Sequence, residues 1–227
     1  MAGNIVSDVD DWVKIQTVLI SVFSKSGLSM LVPGLVRINP DIRILSTGGT
    51  YGVLEKMLGA QAKERLMQVS DYTGQPETQG GLVKTLDFKI YLGLLTETYN
   101  DDHQADLRRT GASPIDMAVV NLYPFAQVTA NPWVTVEEAR ANIDIGGPCM
   151  VRASAKNYIR TASVTDPADY EDILRRLEES GGTLDLATRF ALAKKAFAYS
   201  AAYDATIAAF LGKSADDGVR SCYAFQN

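Results

Sequence analysis

The chain has 227 residues, enough to bury a substantial core, and with 46% hydrophobic and 22% charged residues it has the make-up of an ordinary globular protein. A formal net charge of -5 argues against a nonspecific nucleic-acid or membrane-surface binder, because both need a basic footprint. The two cysteines, Cys149 and Cys222, lie far apart without CxxC spacing, so neither a zinc site nor a disulfide framework is signalled and the cytoplasm is the natural location.

The N-terminal MAGNIVSDVDDWVKIQ is acidic and lacks the basic start and apolar stretch of a signal peptide. No apolar run approaches the roughly 20 residues that span a bilayer. Thr17 to Val22 (TVLISV) is a β-rich run followed by the polar turn FSKSG and by Leu28, Leu31, Val32 and Leu35 at helical spacing. A second strand-loop-helix unit follows at once: Ile42 to Ser46, the loop Thr47 to Thr50 (TGGT), then Tyr51, Leu54, Met57 and Leu58 on a helix. Such alternation predicts a largely parallel, buried sheet.

Further strands are expected at Arg65 to Val69 and at Met117 to Asn121 (MAVVN), the latter ended by LYPF, while Lys89 to Thr98 suits helix and strand equally. Thr135 with Glu138 makes a capping-box pattern for a helix that must stop near the glycines of IDIGGP. Ala162 to Val164 fits one more strand, Asp166-Pro167 starts a helix to about Glu179, and Leu184 to Leu211 is alanine-rich and helical throughout. The chain parses as a single domain, 1–227: an N-terminal extension (1–16), an α/β sheet core (17–130), a helical portion (131–211) and a tail (212–227).

The loops that leave the first two strands, SVFSKSG and STGGT, are the strongest candidates for a binding site. At the carboxyl end of a parallel sheet, a glycine-hydroxyl loop opening a helix offers free N–H groups and a positive dipole to a phosphate. The same glycines would serve equally as a tight turn with Thr50 as the N-cap, and the spacing is not that of a Walker A loop. Lys25 in the first loop could add a mobile positive charge. Asp144, between a helix end and two glycines, is either a turn-former that accepts backbone N–H groups or a carboxylate set to exchange protons. Lys156 follows the small residues Ala153, Ser154 and Ala155, which predicts that it faces inward, where desolvation would make it a usable acid or base. Tyr123 and Asn121 put a phenol and an amide at the end of one strand, although for a tyrosine in general the core is the better reading. The only histidine, His103, reads as part of an exposed loop (NDDHQAD), which argues against Ser-His-Asp, Cys-His and histidine-metal chemistry. Proton transfer would then fall to Lys, Tyr, Asp or water.

In order, SKSGL, STGGT, SDYTGQPE, VKTL, NLYPF, IDIGGP, VRASAKN, DPADY and TRFALAKKAFAYSAAYDATIA resemble the inosine monophosphate (IMP) cyclohydrolase family, from about Thr17 to Leu211. That family is usually met as the N-terminal domain of a bifunctional purine-biosynthesis protein whose other part is the AICAR formyltransferase. The resemblance implies a methylglyoxal-synthase-like α/β fold, a mostly parallel sheet flanked by helices with a more helical C-terminal portion. It also implies dehydrative closure of formyl-AICAR to IMP, with no metal and no organic cofactor. By the family's pattern Lys84 and Tyr123 would polarise the formyl group, and Asp144 and Lys156 would form a proton-shuttling pair. Ser24, Lys25, Thr47, Gly48, Gly49, Thr50, Thr85, Asn121, Ile145 and Gly146 would hold the nucleotide.

Three departures stand out. The family's Ser-Asp-Lys-Thr-Gly is Phe23-Ser24-Lys25-Ser26-Gly27 here. Its Gly-Arg-Val-Lys-Thr-Leu-His-Pro is Gly81 to Phe88, with Leu82, Asp87 and Phe88 in place of Arg, His and Pro, and Lys89 is the cation that could take over from the arginine. The chain also stops at Asn227, so a monofunctional cyclohydrolase supplied by a separate formyltransferase is the expectation, and a homodimer is compatible with it. A methylglyoxal synthase, which is shorter and needs no NLYPF or IDIGG, and a non-enzymatic purine-nucleotide-binding module are the competing readings.

Overall fold

Apolar and β-branched runs between turn residues form the strands of this chain, and apolar residues three and four apart form its helices. The computed structural model describes residues 5–75 and 84–226. In chain order, β1 (Trp12–Lys14), β2 (Thr17–Val22), α1 (Leu28–Ile38), β3 (Arg43–Ser46) and α2 (Gly48–Leu58) are followed by α3 (Ala62–Arg65), β4 (Leu66–Gln68) and α4 (Val69–Thr73). Next come α5 (Phe88–Leu95), α6 (Asp101–Thr110), β5 (Met117–Asn121), α7 (Phe125–Thr129), α8 (Val136–Ala141) and α9 (Gly146–Lys156). β6 (Ala162–Val164), α10 (Tyr170–Glu179), β7 (Thr183–Asp185), α11 (Leu186–Leu211) and α12 (Asp216–Arg220) complete the described strands and α-helices, with short 3-10 turns at Gly59–Gln61 and Pro167–Asp169.

Five strands form one parallel sheet in the order β4-β3-β2-β5-β6, and β1 pairs antiparallel with β7. The chain steps outward from β2 to β3 and β4, then returns to the other side of β2 with β5. At that reversal the connections after β2 and β5 diverge, which opens a crevice beyond the carboxyl ends of the strands. Both faces of the sheet are covered. Val18, Ile20 and Val22 of β2 pack with α1 and α10 residues such as Leu31 and Tyr170, whereas Leu19 faces Ile90, Leu94 and Met150 of α5 and α9.

The α/β fold is the one expected, with several local differences. Lys89 to Thr98, which suited helix and strand equally, is helical as α5, because buried Ile90, Gly93 and Leu94 fall three and four apart and Asp87 caps the start through Lys89 N–H at 2.8 Å. His103 lies on α6 and not in a loop; its N–H donates to the N-capping Asn100 and its Nδ1 accepts Glu97 N–H. The helix from Thr135 has its full capping box but ends at Ala141, and the glycines of IDIGGP open the next helix instead. Thr47, not Thr50, precedes the first turn of α2, so Gly48, Gly49 and Thr50 are already helical.

The N-terminal segment is tied into the body of the protein by a buried guanidinium. Arg189 is fully buried and donates to the carbonyls of Asp10 and Asp11 at 2.8 Å, to Tyr158 and Ile159, and to Leu184. A second buried cation, Arg160, pairs with Asp116 at 2.8 Å and donates to the carbonyls of Gly93, Thr96 and Ile115, while Asp116 also accepts the N–H groups of Gln16 and Thr17. Each charge in this pair is hydrogen-bonded on several sides, which is what makes its burial tolerable.

Candidate active site

A cleft of 280 Å³ opens at the crevice between β2 and β5. Its walls come from the carboxyl ends of β2, β3 and β5, the first turns of α2 and α9, and the Lys84-Thr85-Leu86 segment ahead of α5. Neither α2 nor α9 carries an acidic residue in its first turn; the N-terminus of α2 is open to a ligand, whereas that of α9 faces the Asp144 carboxylate, which accepts Gly147 N–H.

The hydroxyls at one end of the cleft are locked in place. Ser21 Oγ and Thr47 Oγ1 are 2.9 Å apart, and Thr50 Oγ1 donates to the Val22 carbonyl at 3.0 Å. Lys25 curls back so that its Nζ donates to the carbonyls of Val22 and Phe23, and burial pulls its pKa down. The ammonium is therefore held at the cleft wall by strand-end carbonyls. Lys84 Nζ comes over the start of α2, where a Cβ at Gly48 would stand 2.9 Å from it; the φ of +35° at Gly48 independently favours glycine.

Asp144 is a turn-former that also faces the cleft. Its Oδ1 accepts Gly147 N–H at 2.9 Å, as a turn-forming Asp would, yet it also lines the cleft. Burial pushes its pKa up, opposed by the backbone of Gly147 and Tyr123. Both glycines of IDIGG are required by contact: a Cβ on Gly146 would meet Thr85 Oγ1 at 2.6 Å, and one on Gly147 would meet Asp144 Oδ2 at 2.5 Å. Tyr123 is not a core residue; it is 46% exposed, and its ring stands edge-on to Phe23 with centroids 5.7 Å apart.

The cleft thus gathers Lys25, Thr47, Gly48, Gly49, Thr50, Lys84, Thr85, Asn121, Tyr123, Asp144 and Gly146 of the expected set. Asn121 spends its amide on the backbone of Ser24, accepting its N–H at 2.9 Å and donating to its carbonyl at 3.0 Å, which fixes the loop after β2. Ser24 itself lines a neighbouring outer cavity, and Ile145 is 58% exposed outside both.

Lys156 is the clear correction. On α9 the buried residues Gly147, Met150, Val151, Ser154 and Ala155 follow the helical repeat, which turns Arg152 and Lys156 to the exposed face. The small residues before Lys156 let α9 approach the sheet, where Ser154 Oγ donates to Ser163 Oγ at 2.8 Å; they do not turn the lysine inward. The ten-residue rise from Gly146 to Lys156 separates it from the Asp144 end of the helix by about 15 Å, so one chain does not bring the two together as a pair. Lys89 does not reach the cleft either, since its Nζ donates to the Tyr72 carbonyl at 3.2 Å and lies over that ring. Leu82 lies outside the described residues.

Phe23, Ser21, Leu86, Gly147 and Met150 also line the cleft and were not singled out as ligand contacts from the sequence. Phe23 follows the end of β2 directly, so its place in the chain carried the signal, but a search for polar and charged groups passes over an aromatic wall.

Comparison with known proteins reaches the same architecture. The MGS-like domain profile matches residues 28–149, and the profile of the AICARFT/IMPCHase bienzyme matches residues 154–226. The chain belongs to the MGS-like family, and its C-terminal third matches the AICARFT/IMPCHase bienzyme. It is 46% identical over 197 residues to the bifunctional purine biosynthesis protein PurH of Synechococcus sp. (strain CC9605), covering 87% of this chain and 37% of that protein. PurH of Neisseria gonorrhoeae (strain NCCP11945) is 44% identical over 203 residues, covering 89% of this chain and 37% of that protein. The chain therefore spans little more than a third of these relatives. The crystal structure of ForH superposes with a TM-score of 0.71 at 32% identity, covering 86% of this chain and 98% of ForH. The methylglyoxal-synthase-like sheet and the resemblance to the IMP cyclohydrolase family are borne out. Among the described residues, no helix is long and apolar enough to cross a membrane, and no group of His, Cys, Asp and Glu could hold a metal ion.

Proposed function

We propose that this member of the MGS-like family is an enzyme of purine biosynthesis, an IMP cyclohydrolase that closes formyl-AICAR to inosine monophosphate with loss of water. The observation that carries the reading is the convergence of a lysine, a phenol and a desolvated carboxylate, Lys84, Tyr123 and Asp144, on one cleft with two helix N-termini. The 5′-phosphate would lie against the first turn of α2 with Lys25 and the Ser21–Thr47 hydroxyls beside it.

The reaction is intramolecular: the carboxamide nitrogen attacks the formyl carbon. Holding the two groups in contact therefore supplies much of the rate. Lys84 and Tyr123 donate to the formyl oxygen as it gains negative charge. Asp144 accepts a proton from the attacking nitrogen. The resulting carbinol then loses its oxygen as water, with one proton drawn from the carboxamide nitrogen and one from the formamide nitrogen, leaving the ring C=N bond. Burial of Asp144 suits it to this exchange, because a carboxylate stripped of water is a stronger base.

A purine-nucleotide-binding module without turnover is the second reading, and the outward position of Lys156 favours it, since half of the expected proton-shuttling pair is missing from the cleft. Mixing the purified protein with formyl-AICAR and following the ultraviolet change of ring closure separates the two. Acceleration over buffer supports the enzyme; IMP binding with no acceleration leaves the binding module.

A further inference from the structure

Two phenols of α11, Tyr199 and Tyr203, reach the backbone of Leu122, the residue before Tyr123, and of Asp144. They stand four residues apart, so they leave α11 on one face, one turn from each other. Tyr199 Oη accepts Leu122 N–H at 3.0 Å; Tyr203 Oη accepts Asp144 N–H at 2.8 Å and donates to the Asn142 carbonyl at 3.3 Å.

Each bond supplies a partner that regular structure does not. The β2–β5 ladder ends at Asn121, so the Leu122 N–H lies beyond it, and Leu122 is only 5% exposed. Asp144 sits in the link between α8 and α9. Buried N–H groups in such places are costly to leave unpaired. The two loops also meet at the cleft, where Tyr123 and Asp144 both line the wall and the backbone of Tyr123 helps hold down the pKa of the Asp144 carboxyl. The Tyr203 ring is held in turn, edge-on to Phe125 with centroids 6.3 Å apart, and Phe125 is edge-on to Phe210 at 5.8 Å. Burial raises the pKa of both phenols, which keeps them protonated at neutral pH. A 26-residue helix thus grips both sides of the cleft through hydroxyl groups that do not line it.

We propose that Tyr199 and Tyr203 are positioning residues that set where Tyr123 and Asp144 stand in the cleft, acting through the backbone amides of Leu122 and Asp144. The consequence for turnover rests on the cyclohydrolase reading; the positioning itself does not.

Tyr203→Phe and Tyr199→Phe remove one oxygen each and keep the packed rings. The first measurement is amide hydrogen exchange at Gly147, whose N–H donates to the Asp144 carboxylate, and at Tyr123, the residue after Leu122; neither N–H bonds to either phenol. In Y203F these two amides are expected to exchange roughly tenfold faster or more, while amides of the central strand β2 keep their rates. The second is kinetic: Y203F loses roughly 10- to 100-fold in kcat with KM within about threefold, and Y203F combined with Asp144→Asn is no slower than Asp144→Asn alone. Unchanged exchange at Tyr123 and Gly147 in Y203F overturns the proposal, as do Y203F and D144N losses that multiply. If the wild type closes no ring, the functional reading fails, and the exchange rates still decide whether the phenols position the loops. Y199F tests the Leu122 side in the same way should Y203F not fold.

Discussion

Gly147→Ala places a methyl group where the cleft has no room for one. The new Cβ would lie 2.5 Å from Asp144 Oδ2 and 2.6 Å from Leu122 Cδ2, and Leu122 is held by β5 and Tyr199. The carboxylate must therefore retreat by about 0.9 Å to regain ordinary contact distance. Gly147 has no positive φ, so the backbone accepts alanine, and a helical position gains up to about 1 kcal/mol from the change. Overpacking costs about 1–3 kcal/mol, which leaves a net loss of roughly 0–3 kcal/mol in stability. That is a Tm shift of at most about 12 °C for a chain of this size. Turnover falls as well, because a displacement near 1 Å at a reacting group costs about 100-fold, or about 2.7 kcal/mol of barrier. The assay is ring closure of formyl-AICAR followed by ultraviolet absorbance, with thermal unfolding measured in parallel. Gly52→Ala, with no atom within 4 Å of its Cβ position, is the control and should leave both unchanged or slightly raise stability. Turnover by G147A within threefold of wild type would refute the placement of Asp144 at the reacting centre.

Lys84→Ala is expected to lower kcat by far more than it weakens IMP binding measured by calorimetry; equal losses would make Lys84 an anchor for the nucleotide and not an electrophile. Asp116→Ala strands the buried Arg160 guanidinium and should cost about 3–5 kcal/mol in urea unfolding, and a loss below about 1 kcal/mol would contradict that account. Asp144→Asn tests the pH linkage. A folded-state carboxyl pKa raised above the unfolded value means that wild-type stability falls as pH rises through the interval between the two, and the penalty persists above it. D144N should therefore be at least as stable as wild type at pH 7, with its advantage shrinking on acidification; an advantage that grows as pH falls would reverse the assigned shift.

The repeating strand-loop-helix pattern made the sheet legible, because alternating burial leaves apolar runs such as TVLISV and MAVVN that few other folds need. The carboxyl-end rule then located Lys25 and the TGGT turn before any distance was known. What stayed hidden depended on contacts distant in sequence. Arg160 and Asp116 are 44 residues apart, and nothing local to either shows that their charges meet in the interior. β1 and β7 are three residues each, too short to produce a periodic signal, and they exist because they pair with each other. Lys156 shows the opposite failure. The small residues before it suggest room for the lysine, whereas the helical repeat assigns that room to the packing of α9 against β6.

The replacements around Lys84 have a conformational logic. The family pattern His-Pro becomes Asp87-Phe88, which places an N-cap acceptor at the residue before α5 and a phenylalanine at its first position. Proline is favoured at that first position because it has no N–H to satisfy and a φ already set for helix. Aspartate at the N-cap achieves the same start by another route, accepting Lys89 N–H at 2.8 Å while only 5% exposed. Both sequences can thus begin a helix at the same residue, and it is the helix start that delivers Lys84 and Thr85 into the cleft. Thr85 is 6% exposed and packs where Gly146 leaves space, so the lysine is anchored on its C-terminal side by a buried neighbour. The change from His-Pro to Asp87-Phe88 is thus one whose work a helix start can do in more than one way. Lys84, whose ammonium no backbone group can replace, is among the residues that stayed, with Thr85 beside it.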